Sequence, residues 1–391
     1  MTGRERFLKT FRGEATDRMP VALFISDQGH FLEQCYPDAD PYHYLDLQKK
    51  VVDLQRQFGA DVFVRMLFGV NDPLHIHMGG VDISQQTDDW QVENTETCEG
   101  NTRITRSVIH TPGGTITQEN KVVELSRGTF LYATTEKPVK EEKDLDLLIA
   151  YEPKMKPGWG DCAKAKVQEM KQYVGEDGIV GVWAPHGPFN NASLLIHLEE
   201  LYALFLTEPE FYDKLMKYAS DRIVDYTRAM AQSGADVLCV GGNVPGGFLG
   251  KRIYDEYILP YERDYMSICQ ESGVPAMYHN CGQIMNLVES YKELGVRIVE
   301  PFSPPPLGDA DLKKAKQLVG GDYIMLAGVD QVNVIQKGTV EDVRKATKET
   351  ALIAKQGGKT ILQTADFLEK DTPLENVRAF VETGIENAAY E

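Results

Sequence analysis

The chain has no apolar run near the eighteen or so residues that a helix needs to cross a bilayer. A helical membrane span is therefore not expected. Positive charge is scarce: 41 Lys and Arg stand against 59 Asp and Glu, a formal net charge of −18. Nucleic-acid binding relies on Lys and Arg meeting phosphate, so this deficit argues against it. Only six cysteines occur in 391 residues (Cys35, Cys98, Cys162, Cys239, Cys269, Cys281), and their spacing forms no disulfide framework. Reduced thiols in a cytoplasm are the expected state. No Gly-x-Gly-x-x-Gly opens a helix, so a dinucleotide-binding fold lacks its signature. The opening Met1-Thr2-Gly3-Arg4-Glu5-Arg6-Phe7-Leu8 reads as an amphipathic helix and not as a secretory leader.

What is present is alternation. Hydrophobic residues make up 42% of the chain, enough for a sizeable core. Short apolar runs occur at 20–25, 61–67, 179–183, 236–240, 275–278, 297–299, 323–327 and 359–363. Segments of helical period follow, the clearest at 211–232, 253–271, 284–293, 340–354 and 372–389. Strand-like runs alternating with helices predict parallel β/α units. Eight such runs are the number that closes a (β/α)8 TIM barrel, an α/β fold spanning 1–391 as one domain. An open doubly wound sheet is the alternative. Between the second and third runs, at 72–153, the sequence turns polar and threonine-rich with period-2 alternation. Thr111-Pro112-Gly113-Gly114 reads as a turn there. An antiparallel β insertion in a βα loop is predicted, either covering the site or merely decorating the barrel.

In such a barrel, chemistry sits at the C-terminal ends of the strands. Those ends carry His186, Asn243, His279, Cys281, Glu300, Asp330, Gln331 and Asp366. His279 and Cys281 are two residues apart, a spacing that places both on one face if the extended geometry persists through the turn. Imidazole with thiolate suits zinc, but a zinc site needs at least three protein ligands. Glu300 and Asp366 are the carboxylates available to complete it, although Asp366 could instead cap a turn and Glu300 pair with a cation. Asn243, Glu300 and Asp330 are the candidate catalytic groups. His30, His75, His77, Trp183, His186, Tyr278 and Gln331 are the candidate substrate contacts. Phe31, Trp183, Phe189 and Tyr278 could line a cavity for an aromatic ring, or equally belong to the core.

Several stretches together resemble one superfamily over nearly the whole length, that of uroporphyrinogen decarboxylases and cobalamin-dependent methyltransferases. They are Arg6-Phe7-Leu8-Lys9-Thr10-Phe11-Arg12-Gly13-Glu14, Asp17-Arg18-Met19-Pro20-Val21, residues 254–261 with Leu259-Pro260-Tyr261, His279-Asn280-Cys281-Gly282, Gly328-Val329-Asp330 and Thr372-Pro373-Leu374-Glu375-Asn376. The resemblance implies a (β/α)8 barrel and permits a homodimer. Decarboxylases of the group carry Arg-Gln-Ala-Gly-Arg after the first strand, where guanidinium groups hold the substrate's propionates. This chain has Ser26-Asp27-Gln28-Gly29-His30, and an aspartate there would repel such a substrate. Zinc methyltransferases of the group use His-x-Cys with a later cysteine; the corresponding stretch, Gln363-Thr364-Ala365-Asp366-Phe367, offers Asp366 instead.

The resemblance therefore implies zinc held by His279, Cys281 and Asp366 or Glu300. Exchanging a soft sulfur for a hard oxygen leaves the metal more Lewis acidic, which suits an ether or hydroxyl leaving group. The implied reaction moves a methyl group from a small methylated donor to the cobalt of a separate corrinoid protein. O-demethylation of a methoxylated aromatic is the first guess at the donor. The alternatives are a methylcobalamin-to-thiol or -pterin methyltransferase and a decarboxylase-like lyase. No Asp-x-His-x-x-Gly cobalamin signature is present, consistent with a partner carrying the corrinoid.

Overall fold

Apolar runs of four to six residues form the parallel strands, and an antiparallel ribbon separates the first from the rest. In chain order the strands are β1 (Val62–Met66), β2 (Gln91–Glu99), β3 (Thr102–Thr111), β4 (Gly114–Ser126), β5 (Thr129–Glu136), β6 (Gly178–Trp183), β7 (Val237–Gly241), β8 (Ala276–His279), β9 (Ile298–Phe302), β10 (Ile324–Val329) and β11 (Thr360–Thr364). The computed structural model describes residues 1–27, 29–68, 81–126, 129–244 and 246–390. Seven strands make one curled parallel sheet in the order β1-β6-β7-β8-β9-β10-β11. Residues 20–25, predicted as a strand, form only one bridge, Val21 to Leu362. That segment nevertheless reaches both edges of the sheet. Ala22 N–H donates to Leu362 O at 2.9 Å, Leu362 N–H to Pro20 O at 2.9 Å, and Asp61 N–H to Val21 O at 2.8 Å.

Two separate apolar cores follow from strand alternation, since successive side chains face opposite sides. The larger lies between the sheet and its helices. The smaller lies inside the curl and consists of Ala22, Phe63, Ile179, Val237, Cys239, Met277, Ile298, Ile324, Leu326 and Ile361, with Phe7 and Phe11 from the N-terminal helix Gly3–Arg12. That helix begins with a capping box between Thr2 and Glu5 and ends on the left-handed Gly13. It lays Phe7 and Phe11 across the end of the sheet away from the site. Two residues further along several strands the same inward face turns polar: Phe63 is succeeded by Arg65, Met277 by His279, Ile298 by Glu300 and Ile361 by Gln363. The site rests on this apolar floor.

The helices Pro209–Ala231, Val340–Ala354 and Leu374–Asn387 match their sequence patterns closely. Two others differ. The pattern over 253–271 is interrupted by a π-turn, Tyr254–Ile258, before the helix Leu259–Glu271. Pro260 has no N–H to give the carbonyl four residues back, and its ring crowds that carbonyl. The pattern over 284–293 yields turns and a 3-10 segment, Ser290–Leu294. There the Asp309 carboxylate accepts the N–H groups of both Ile284 and Met285, at 2.8 and 3.1 Å.

The inserted region holds the predicted antiparallel sheet, in the order β2-β3-β4-β5. Ile109, Ile116, Ser107 and Gln118 are buried on it, while β2 is exposed along nearly its whole length. A helix, Glu142–Tyr151, follows within the stretch read as strand-like and packs against β4. No helix among the described residues is long and apolar enough to cross a membrane.

Candidate active site

Register brings the site together. His279 on β8 pairs with Glu300 on β9, so both side chains stand at one level above the apolar floor. Glu300 is fully buried, and its two oxygens accept from Arg65 Nη1 and Nη2, each at 2.7 Å. Arg65 Nη2 also donates to Gln363 Oε1 at 2.7 Å. The guanidinium carbon lies over the rings of Phe24 and Phe63, 4.1 and 4.6 Å from their centroids. Burial opposes the charge on Glu300, but Arg65 and then His279 outweigh it and hold the carboxyl below its usual range.

Glu300 Oε1 lies 3.0 Å from His279 Nδ1. This fixes the ring through Nδ1. Trp183 packs edge-on against the imidazole, with centroids 5.7 Å apart. Burial disfavours charge on His279, yet hydrogen bonds with Cys281 and Glu300, aided by the charges of Glu300 and Asp366, push it up to about 10. Cys281 is exposed. Asp366 gives one oxygen to the Phe367 N–H at 2.7 Å. Burial raises its pKa, and the positive charge of His279 opposes that rise.

Donor chemistry here matches zinc in kind: an imidazole nitrogen oriented by a carboxylate, as zinc-bound histidines usually are, beside a thiol. The set does not close, however. Among the described residues no three His, Cys, Asp or Glu side chains gather as an ion requires. Glu300, one of the two carboxylates expected to complete it, has both oxygens committed to Arg65 and one also to His279. It supports the histidine instead of facing an ion, and the same contacts remove it from the candidate catalytic groups.

Other expected residues fall into two groups. His186, Trp183 and His30 are half-buried on the same rim, and Asn243 is exposed there with a left-handed φ of 49°. Burial, with the neighbouring charge of His279, lowers His186 to about 4. A Cβ on Gly241 would fall 2.1 Å from His186 Nδ1, so glycine is what lets that ring lie across β7. The second group is buried. Tyr278, Phe31 and Phe189 belong to the core. Asp330, expected to be catalytic, caps the turn Gln331–Gln336: it accepts from Val332 N–H at 2.9 Å, Asn333 N–H at 2.7 Å and Asn333 Nδ2 at 2.8 Å. Gln331 is buried, with its side-chain oxygen unpartnered among the described residues. His75 and His77 lie outside the described residues. Asp27 is buried and accepts from Gln48 Nε2 at 2.8 Å, so it does not present a free charge to the rim; burial raises it to about 6.

Sequence reading missed Arg65, Gln363, Phe24 and Phe367. A signal existed for Arg65 alone, an arginine inside the apolar run Val62-Phe63-Val64-Arg65-Met66. Such a charge is either at an edge or paired within.

A Methanosarcina mazei protein named methylated-thiol–coenzyme M methyltransferase is 28% identical over 195 residues, 50% of each chain. A methylcobamide:CoM methyltransferase, MtbA, from Methanosarcina acetivorans is 26% identical over 197 residues, 50% of this chain and 55% of that one. The chain thus spans about half the length of these relatives. A solved methyltransferase from Methanosarcina mazei superposes over 99% of both chains with a TM-score of 0.69 at 17% identity, a likeness of fold. The profile described as uroporphyrinogen decarboxylase (URO-D) matches residues 123–386. Those residues run from β4 through Glu300, His279, Cys281 and Asp366 to the last helix, and on that match the chain belongs to the uroporphyrinogen decarboxylase family.

Proposed function

We propose that this chain is a corrinoid-dependent methyltransferase that moves a methyl group from a small methylated donor to the cobalt of a separate corrinoid protein. One observation carries the reading. His279 and Cys281 stand together at the open rim, braced from below by Glu300 and Arg65, in a family whose relatives include methylcobamide and methylated-thiol methyltransferases. The brace holds the imidazole in one orientation, and Trp183 limits its rotation. The exposed Cys281 meets the incoming donor. Cobalt(I) attacks the methyl carbon in line, and the broken bond's electron pair leaves with the donor oxygen, which takes up a proton. Holding donor and rim in one geometry is this chain's share of the rate; the corrinoid carries the difficult chemistry. The described donors at the rim do not gather around one point, so no step is assigned to a metal here. O-linked donors, methoxylated aromatics first, open the panel below.

The relatives' names favour a second reading, in which methyl passes from methylcobamide to a thiol. A decarboxylase-like lyase has less support, because the loop after residue 25 carries no arginine through residue 30. The deciding experiment mixes the protein with reduced corrinoid protein and a panel of ethers, alcohols, amines and methyl thioethers, and follows the methylcobalamin spectrum. Its appearance with an ether supports the proposal. Silence across the panel, with demethylation of methylcobalamin by a thiol, hands the case to the second reading.

A further inference from the structure

We propose that Phe24, Phe367 and His30 form a wall that binds the ring of an aromatic methyl donor; this rests on the methyl-transfer reading above. Phe24 lies two residues beyond Ala22 of the inner core, which brings it to the level of Arg65. One face of its ring is covered by the guanidinium at 4.1 Å, and Phe367 meets it edge-on with centroids 6.1 Å apart at 85°. His30 lies against Phe367 at 4.5 Å and 46°. A continuous path of contacts joins this group to the imidazole: Phe24 to Arg65, Arg65 to Glu300, Glu300 to His279. Phe367 also directly follows Asp366.

Three features distinguish this wall from ordinary packing. All three rings are half-buried, whereas Phe31, Phe189 and Tyr278 are fully sequestered. His30 has a φ of 51°, which L side chains rarely adopt, and follows Gly29 at 63°. Backbone held in such a region clusters at ligand clamps. The ring is further fixed by Glu369, 3.5 Å from Nδ1, which leaves Nε2 to accept a hydrogen bond from a hydroxyl on the ligand. Offset and edge-on ring packing is the geometry that aromatic pairs prefer. The wall therefore fits a methoxylated arene whose product, or second substituent, is a hydroxyl.

The test is calorimetric binding of para-methoxybenzoate and its product para-hydroxybenzoate to the full chain and to Phe367→Ala, Phe367→Leu and His30→Ala, beside methylcobalamin formation from methanol and from para-methoxybenzoate. Both arenes should bind the parent, and Phe367→Ala should weaken them about tenfold. Phe367→Leu, which keeps bulk without the ring, should weaken them several-fold with its circular dichroism unchanged. His30→Ala should weaken para-hydroxybenzoate likewise. Arenes that fail to bind the parent, or that bind Phe367→Leu as well as the parent, overturn the wall. Methylcobalamin from methanol without arene binding sinks the wall and leaves methyl transfer standing. Arene binding lost in the variants, with no methylcobalamin from any donor, leaves the wall and sinks the reaction.

Discussion

A guanidinium inside a sheet is costly unless its donors are taken up, and Arg65 is placed to meet that demand through Glu300 and Gln363. Removing one partner strands the other. Arg65→Ala should lower stability by about 3–5 kcal/mol in denaturant unfolding and abolish turnover. The double variant Arg65→Met/Glu300→Leu should be more stable than either single change yet equally inactive, because no lone charge stays buried. Metal content is the second check at this scale. Because the described donors do not gather around one point, the parent from zinc-replete medium should carry well under one zinc per chain by elemental analysis. One zinc per chain that Cys281→Ala loses would show instead that the donors close on a metal. His279 and Cys281 were legible as donors two residues apart, although β8 ends at His279 and Cys281 lies beyond the strand. The brace beneath them was not, because one strand's pattern does not say which of its faces points into the curl. Asp330 misled for a related reason: a short carboxylate before a turn is also what a cap requires.

Elements were legible where the information was local. The four strands of the ribbon follow from alternation and from the turn at Pro112–Gly113, and Val340–Ala354 from its helical period. They were not where a remote side chain intervened, as Asp309 does at Ile284 and Met285. The helix Leu259–Glu271 adds a titratable group to its buried side. Burial pushes Glu262 up to about 8, against the pull of the Phe189 N–H and Tyr278. The folded state therefore holds this proton above the ordinary value of 4.5, where the unfolded chain has released it. Its contribution is complete below about pH 4.5 and is lost as pH rises through 8. The parent should lose stability between pH 6 and 9, and Glu262→Gln should reduce that loss by a few kcal/mol, at ~1.4 kcal/mol per unit, read from unfolding curves at the two pH values.

For the whole molecule, alternating runs gave the parallel sheet and its order, but the closing contact at residues 20–25 is a single bridge supported by hydrogen bonds to both neighbours. The inner core depends on a helix that no strand pattern predicts. Phe7 is fully buried there, its ring 5.7 Å from that of Phe63, and Phe7→Ala should cost about 3–5 kcal/mol, measured by denaturant titration. Phe7 and Phe11 complete a packed floor that leaves no passage through the inner core. On the proposed reading the donor and the bulky corrinoid carrier therefore both come to the polar face above it. They have to take turns: the donor enters first, the carrier lands on top, and the demethylated product waits for the carrier to lift away. Excess carrier then slows turnover by blocking the entrance before the donor has arrived.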